Sequence, residues 1–387
     1  MKILICNAGS TSLKFKLWQM PEYSVLAEGR VERVGSENGI FSYRCGDVGF
    51  SRENVPVRDY TEGISMFLTA LTGSAGAIRD VREIDAVGYK TVLSRDHYGV
   101  HDLDAQTLQG MRDYFTVAPA HNGPYLEAIG VFQSLLPNAR QIGVFETNFH
   151  RTIPRERCVF PIPYEWTERY GIRRMGYHGA SHGYIAERLS QYRRVISCHL
   201  GGSASICAIL DGKSMDNSFG FSLQMGIPHA SRTGDVDVYI VPYLLSQGLT
   251  IDEIYQGLGK NGGLKGISGT SGDMRDIEAA IAAGSDRAQL ALDVFCTSII
   301  RYIGAYAMEI GGVDAIAFTG GIGENSARVR KTVLSAMRHM GAIIDDHANE
   351  NGAGERRITA SDSKIDAYVI PANEEYMVVR EAYAHCK

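Results

Sequence analysis

The chain lacks the features that mark secreted and membrane-spanning proteins. Its seven cysteines are an odd number without a C-x-x-C pair, which favours free thiols in a reducing compartment such as the cytoplasm. No apolar run approaches the roughly 18 residues that a membrane helix needs. The first apolar stretch ends after four residues, at Asn7, so the N-terminus does not have the pattern of a signal peptide.

The chain also lacks an excess of basic residues. It has 39 Lys and Arg against 44 Asp and Glu, a net charge of −5, whereas nucleic-acid-binding domains are usually basic. The composition, 44% hydrophobic and 21% charged, is typical of a soluble globular enzyme. At 387 residues the chain is longer than one hydrophobic core usually supports, which predicts two domains.

Two segments share one pattern: an apolar strand, a turn of small residues and an alternating strand. They read ILICNAGSTSLKFKL (3–17) and VISCHLGGSASICAIL (195–210). One copy in each half of the chain predicts two similar α/β domains and not a solenoid. Elsewhere, apolar spacing and flanking residues predict helices over 60–73, 181–193 and 286–310, and strands over 83–92 and 139–147.

The small-residue turns are candidate phosphate sites, because backbone N–H groups approach an anion most easily where no side chain intervenes. Both turns lead into a strand, so neither is the strand-to-helix P-loop. A third turn, in FTGGIGENS (318–326), follows a strand and precedes a predicted helix start at Asn325 or Ser326, where an anion or nucleotide would be favoured. A tight hairpin without a ligand is the alternative for each of the first two turns.

Five segments resemble the signature motifs of the acetate kinase family, which belongs to the superfamily of actin and the sugar kinases. They are NAGSTSLKFKL (7–17), RYGIRRMGYHGASH (169–182), GISGTSGDMRDI (266–277), FTGGIGENS (318–326) and IPANEEYM (370–377). The motifs follow the order of the family and extend over nearly the whole chain.

The resemblance implies an α/β fold of two similar actin-like (ribonuclease H-like) domains, residues 1–148 and 149–373, with the active site in the cleft between them. The segment 374–387 is expected to pack back on the first domain. The implied activity is reversible, direct in-line transfer of a phosphoryl group from ATP to the carboxylate of a short-chain acid, acetate or a close relative such as propionate. The resemblance further implies Mg²⁺ (or Mn²⁺), a homodimer, and no nucleic-acid or membrane partner.

Transfer to a carboxylate requires cations that offset the repulsion between two anions. By resemblance, Arg232 contacts the carboxylate and the phosphoryl group, which suits its planar fork, and His178 donates to phosphoryl oxygens. A surface ion pair with Asp235 or Asp237 is the alternative for Arg232, and a purely structural histidine is the alternative for His178. The other implied catalytic residues are His121 and Glu146.

The resemblance assigns three further groups of residues. The acceptor is implied to contact Lys90, Val92, Ala120, Tyr177 and Leu223. The nucleotide and its phosphates are implied to contact Asn7, Ser10, Ser12, Lys14, His199, Gly201, Gly202, Asp273, Arg275, Gly321, Gly323 and Asn325. Mg²⁺, which prefers oxygen ligands, is implied to contact Asn7 and Glu374. An ion pair between Asp273 and Arg275 is the alternative for those two residues.

Several positions depart from the family pattern. Lys90 stands for an arginine and keeps the charge without the bidentate fork. Glu146 stands for an aspartate and reaches about 1.5 Å further, roughly one C–C bond. Gly202 stands where the phosphate loop usually has an amide. The remaining departures are Ala120 for leucine, Tyr177 for phenylalanine and Leu223 for proline.

These departures leave other functions open. Extra room at Ala120 and a hydroxyl at Tyr177 favour, as one alternative, a kinase for a longer or hydroxylated carboxylate. Changes at Lys90, Glu146 and Gly202 motivate a second alternative, a nucleotide-binding regulator that has lost transfer activity. A phosphatase acting on acyl phosphates or polyphosphate is a third.

Overall fold

The structure is a computed structural model that describes residues 1–387, apart from the side chain of Ala120. The chain divides into two compact units. One is formed by Met1–Asn148 together with Glu374–Lys387, and the other by Phe149–Asn373. The predicted domain boundaries and the predicted cleft stay predictions.

Strands of the described chain form one sheet in each unit. In chain order the strands are β1 (Lys2–Gly9), β2 (Ser12–Gln19), β3 (Ser24–Glu32), β4 (Ser36–Cys45), β5 (Val48–Val57), β6 (Ala86–Tyr89), β7 (Val100–Asp102), β8 (Arg140–Val144), β9 (Arg194–Leu200), β10 (Ala204–Leu210), β11 (Lys213–Asn217), β12 (Ala315–Thr319), β13 (Arg356–Arg357) and β14 (Asp366–Val369). The first sheet has the order β5-β4-β3-β2-β1-β6-β8-β7, and the second has the order β11-β10-β9-β12-β14-β13.

The two sheets repeat one arrangement. β1 pairs antiparallel with β2 and parallel with β6, and β9 pairs antiparallel with β10 and parallel with β12. The small-residue turns therefore lie at the tips of two equivalent hairpins, after Gly9 and after Leu200. This confirms the two similar α/β units that the repeated sequence pattern predicts.

Helices cover the sheets. In chain order they are α1 (Tyr60–Thr72), α2 (Ala105–Asp113), α3 (Pro119–Leu135), α4 (Arg155–Cys158), α5 (Tyr164–Tyr170), α6 (Gly179–Arg188), α7 (Ile240–Ser246), α8 (Ile251–Lys260), α9 (Gly263–Ser268), α10 (Met274–Ala282), α11 (Asp286–Glu309), α12 (Gly320–Asn325), α13 (Ala327–Ala336), α14 (Asp346–Glu350) and α15 (Glu374–Cys386). Three short 3₁₀ segments lie at Val81–Glu83, Phe149–Thr152 and Arg338–Met340.

Helix α1 shows how the sequence determines such an element. Its residues Ile64, Phe67 and Leu71 recur at helical spacing and are buried in the core of the first unit. Asp59 caps the N-terminus by accepting a hydrogen bond from the N–H of Glu62. The helix ends at Thr72, in agreement with the prediction.

Helix α11 is, among the described residues, the one helix long and apolar enough by length and composition to cross a membrane. Its side chains Phe295, Ile299 and Ile303 belong to the apolar core of the second unit. Ser285 caps the helix by accepting from the N–H of Ala288. Helices that fill the core of a globular unit have this same composition.

The predicted starts of two helices have different outcomes. The helix predicted from residue 181 begins at Gly179, because His178 takes the N-cap position in a left-handed conformation, with φ 57°. The helix start predicted at Asn325 or Ser326 is confirmed, because Ser326 caps α13 by accepting a hydrogen bond from the N–H of Val329. The glycine-rich turn before it is also helical, as α12. Its first N–H, on Gly320, is satisfied by the carboxylate of Glu324. Periodicity indicates neither the start at Gly179 nor the short helix α12, since both depend on local backbone conformation and hydrogen bonds.

Candidate active site

The β1–β2 hairpin places polar side chains at the end of the first sheet. Asn7 and Lys14 face each other across the two strands. The Nδ2 of Asn7 donates to Glu375 Oε1 at 3.4 Å. The Oδ1 of Asn7 is buried and has no hydrogen-bond partner among the described residues. Ser10, at the tip, is exposed, and Ser12 is half-buried. The hairpin therefore holds one buried oxygen without a hydrogen-bond partner among the described residues, the Oδ1 of Asn7, and several accessible polar groups.

Lys90 brings together two carboxylates of the first unit. Its Nζ lies 3.1 Å from Glu146 Oε1 and 2.6 Å from Glu374 Oε2. Lys90 directly follows β6, Glu146 follows β8, and Glu374 begins α15. Burial would lower the pKa of Lys90, but Glu374 and Glu146 outweigh it and hold the pKa well above its ordinary value. Three predicted site residues therefore form one charged cluster, with Lys90 protonated.

Three further predicted residues of the first unit give less information about the site. Val92 is buried, and His121 lies exposed near the start of α3. The side chain of Ala120 lies outside the described part of the structure, so the extra volume predicted for the acceptor at this position stays a prediction.

Three histidines approach one another in the second unit. Nδ1 of His178 lies 2.9 Å from Ser205 Oγ, and the rings of His178 and His199 have centroids 4.1 Å apart. Sequence reasoning missed His182, which is fully buried and contacts Ser205 Oγ at 2.8 Å. The signal that could have found it is its place in the same segment, GYHGASH (176–182), as His178.

Arg232 lies beside the β9–β10 turn, with its fork held by neutral groups. Its Nη1 donates to the Leu223 carbonyl at 2.6 Å and its Nη2 to Ser203 Oγ at 2.5 Å. It forms no ion pair with a carboxylate of the described chain, so the alternative pairing with Asp235 or Asp237 is not formed. Burial lowers the pKa of Arg232 to about 10, which leaves the side chain charged at neutral pH. An uncompensated guanidinium in this position favours the binding of an anion.

A cavity of about 890 Å³ adjoins the β9–β10 turn in the second unit. It is lined by several residues predicted to contact the nucleotide: Gly201, Gly202, Asp273, Arg275, Gly321 and Asn325. Gly323, which does not line the cavity, packs against the backbone of Phe318, where a Cβ would approach to 3.2 Å. Six of the residues predicted for the nucleotide side of the second unit therefore line one cavity.

The predicted alternative for Asp273 and Arg275 is also present in the structure. Their side chains form an ion pair at 2.6 Å, and hydrogen bonds from Arg275 lower the pKa of Asp273 to about 2. Asp273 caps α10 by accepting from the N–H of Arg275. Both residues nevertheless line the cavity, so capping the helix does not remove them from it.

Tyr177 differs from the expectation that its hydroxyl offers a polar group to the acceptor. The side chain is fully buried and its hydroxyl donates to the Phe221 carbonyl at 2.7 Å. Its ring packs edge-on against Phe219. Because the hydroxyl hydrogen of Tyr177 is already donated to Phe221, this residue gives no support to the alternative of a kinase for a hydroxylated carboxylate.

Comparison with known proteins adds an independent finding. The model of the Acetokinase family matches residues 2–380. Acetate kinases of Shouchella clausii (strain KSM-K16) and Bacillus subtilis (strain 168) are each 40% identical to this chain, over 98% of it and 98% of the relative. Both relatives thus match along almost their full length.

Solved structures are similar over the same extent. The crystal structure of Porphyromonas gingivalis acetate kinase has a TM-score of 0.89 and 35% identity, and covers 100% of both chains. That of a propionate kinase from Francisella tularensis subsp. tularensis SCHU S4 has a TM-score of 0.88 and 32% identity, and covers 98% of both chains. This likeness confirms the predicted actin-like α/β fold.

Proposed function

The chain belongs to the acetokinase family, and on that premise we propose how its residues phosphorylate a short-chain carboxylate. The protein is an ATP-dependent carboxyl-group phosphotransferase acting on acetate or propionate. The chemistry is in-line transfer of the γ-phosphoryl group to a carboxylate oxygen, which forms an acyl phosphate and ADP.

Arg232 carries the proposal. Two anions meet in this reaction, and the largest obstacle is their mutual repulsion. A half-buried guanidinium with neutral partners, Leu223 O and Ser203 Oγ, retains its charge for the substrates. We assign to Arg232 the neutralisation of the carboxylate and of the transferred phosphoryl group.

The neighbouring groups supply hydrogen-bond donors. His178 is proposed to donate to an oxygen of the moving phosphoryl group, while the turn at Gly201 and Gly202 accommodates the phosphates. The cavity beside this turn, at about 890 Å³, is large enough for a nucleoside and supports binding of ATP there. Positioning and charge neutralisation are what this reaction requires of a protein.

Mg²⁺ fits the oxygen donors of the first unit. The buried Oδ1 of Asn7 lacks a partner among the described residues, and the carboxylate of Glu374 offers a second donor. We propose that these two residues hold the ion. When bound, Mg²⁺ would neutralise charge on the phosphates of ATP. Lys90 holds Glu374 and Glu146 in place and balances their charge in the absence of the ion.

A homodimer is proposed from an exposed apolar surface on the second unit. Around α7 and α8, Val238, Tyr239, Tyr243 and Tyr255 are 75%, 77%, 63% and 63% exposed. Large apolar side chains grouped in this way usually mark a protein interface, and tyrosine is enriched at interface centres. The proposed occupant is a second copy of this chain. All seven cysteines are free, which supports a cytoplasmic location.

The function is tested by trapping the acyl phosphate with hydroxylamine. Purified protein is incubated with Mg-ATP and acetate, propionate, butyrate, isobutyrate, lactate or glycolate in parallel. We expect product with acetate or propionate at the highest catalytic efficiency. Efficiency highest for a larger or hydroxylated acid would overturn the assigned acceptor. No product with any acid, together with measurable ATP binding, would favour a regulator.

A variant of Arg232 tests the assigned charge. Arg232→Ala should lower kcat by about 10³-fold, the size of effect seen when one transition-state contact is removed, and leave ATP binding intact. Arg338→Ala removes an exposed arginine of the same unit and serves as the control. Equal activity of both variants would refute the role of Arg232.

A further inference from the structure

His178 is the first of four polar side chains that are connected by hydrogen bonds and extend into the interior of the second unit. Nδ1 of His178 lies 2.9 Å from Ser205 Oγ, and this oxygen lies 2.8 Å from Nε2 of His182. Nδ1 of His182 lies 2.8 Å from Ser197 Oγ. His182, Ser205 and Ser197 are fully buried. Their hydrogens must therefore be shared within this group and not with bulk water.

The number of hydrogens in this chain is fixed. Burial lowers the pKa of His182 well below its ordinary value, and the nearby His150 and His199 lower it further, so His182 is neutral. A neutral imidazole has one N–H, so one ring nitrogen donates and the other accepts. Each serine hydroxyl likewise has a single hydrogen. Two arrangements of these hydrogens satisfy both limits.

In the first arrangement, His182 donates from Nδ1 to Ser197 and accepts at Nε2 from Ser205. Ser205 then has no hydrogen for His178, which must carry its own hydrogen on Nδ1. Ser197 Oγ has no other hydrogen-bond partner in the described part of the chain, so its hydrogen would lack an acceptor. An unsatisfied buried donor costs about 1–3 kcal/mol.

In the second arrangement, Ser197 donates to Nδ1 of His182, and His182 donates from Nε2 to Ser205. Ser205 then donates to Nδ1 of His178. Every buried hydrogen of the chain has an acceptor. His178 accepts at Nδ1 and therefore carries its hydrogen on Nε2, the nitrogen on the far side of the ring from Ser205. Complete satisfaction of the buried hydrogens favours this arrangement.

We propose that His182 is a positioning residue for His178, and that through Ser205 it fixes the His178 tautomer with hydrogen on Nε2. The inference rests on the proposed function, in which His178 donates to a phosphoryl oxygen. The other tautomer would turn a lone pair, and not a hydrogen, towards that anion. The contact with Ser205 and the neighbouring His199 ring, 4.1 Å away between centroids, hold the His178 ring at the start of α6.

The tautomer is measured by ¹⁵N NMR on protein labelled at histidine, without substrate and at a pH at which histidine is neutral. The His178 signals are assigned by their loss in His178→Gln. We expect a single tautomer in the wild type, with hydrogen on Nε2. Ser205→Ala should produce a mixture of tautomers, and Ser205→Thr, which keeps the hydroxyl, should restore the single form.

Kinetics give a second readout. Ser205→Ala should lower kcat about 10- to 100-fold, as loss of an outer-shell partner usually does, with the KM for ATP unchanged. Ser214→Ala is the matched control, because it removes another buried serine bonded to a buried histidine, His150, at 2.8 Å. This control should keep the wild-type tautomer of His178.

Two results would overturn the inference. One is a wild-type His178 with its hydrogen on Nδ1, a result that requires no variant to fold. The other is a folded Ser205→Ala protein that keeps both the single tautomer and the wild-type kcat. Because the tautomer is measured without substrate, a wild type that forms no acyl phosphate contradicts the proposed function alone.

Discussion

Nζ of Lys90 lies 2.6 Å from Oε2 of Glu374 and only slightly further, 3.1 Å, from Oε1 of Glu146. Glu146 is 5% exposed, so its charge is balanced by Lys90 and hardly by water. The cluster joins the closing helix to the ends of two strands of the first sheet. It also places an ammonium group against a carboxylate proposed to bind Mg²⁺.

Replacing Lys90 tests this relationship without any assay of catalysis. Lys90→Met leaves two carboxylates together without their cation, and we expect the free energy of unfolding to fall by about 3–5 kcal/mol. Addition of Mn²⁺ or Mg²⁺ without nucleotide should restore part of this loss, because a divalent ion can replace the ammonium charge. Urea unfolding with and without the ion measures both effects.

Lys16→Met is the matched control for that experiment. Lys16 pairs with Glu375, in the same first turn of α15, also at 2.6 Å and with similar exposure, but among the described residues it forms no second ion pair with a buried carboxylate such as Glu146. Its loss should cost about 0–1 kcal/mol and show no rescue by the ion. Equal losses for the two variants, or equal stabilisation of the wild type by the ion, would contradict the prediction.

Gly321 tests the cavity assigned to the nucleotide. A Cβ built at Gly321 meets no atom within 4 Å, so a side chain can begin there without a clash, and Gly321→Leu adds volume at the cavity wall. We expect ATP affinity, measured by calorimetry, to fall at least about 10-fold, or 1.4 kcal/mol, at unchanged thermal stability. Gly130→Leu, at an equally open helical glycine of the first unit, should keep wild-type affinity. Undiminished ATP binding by Gly321→Leu would place the nucleotide elsewhere.

His150 should make the protein sensitive to acid. Burial lowers its pKa from 6.5 to about 4, so the unfolded chain takes up a proton below pH 6.5 that the folded chain refuses. The stability that His150 contributes is therefore present above pH 6.5 and is lost as pH falls towards 4. For this group the free energy of unfolding falls by about 3 kcal/mol over that range, because each pKa unit of difference between the folded and unfolded states corresponds to about 1.36 kcal/mol.

The measurement for His150 is the free energy of unfolding across that pH range. His150→Gln should make the slope smaller by the share that His150 contributes, while the buried His182 and His229, whose pKa values burial also lowers, maintain the rest of the dependence. His339→Gln, at an exposed histidine of the same unit, should keep the wild-type slope. A slope unchanged by His150→Gln would show that other groups determine the acid sensitivity.

The tyrosines of the exposed surface around α7 and α8 test the proposed homodimer. Tyr239→Asp combined with Tyr243→Asp introduces two charges where a second copy is proposed to bury apolar rings. We expect a shift from dimer to monomer in light scattering at unchanged circular dichroism. Tyr164→Asp, at another exposed tyrosine, is the control. A monomeric wild type would contradict the dimer outright.

Local sequence predicted much of the fold. The hairpins β1–β2 and β9–β10, helix α1 and helix α11 follow from alternation, helical spacing and capping residues, which act over a few positions. The β4–β5 hairpin was missed, because β5 has mainly exposed residues and gives no clear alternation. Five motifs were sufficient to indicate the family.

By itself, then, the sequence determined the repeated strand–turn–strand units and the chemical types present at the site. Tertiary structure alone decided which groups meet. The Lys90 cluster joins segments far apart in the chain, Arg232 turns to Leu223 and Ser203 and not to an aspartate, and His182 reaches His178 through Ser205. Periodicity carries only local information, whereas these contacts depend on the path of the backbone and on which buried polar atoms can satisfy one another.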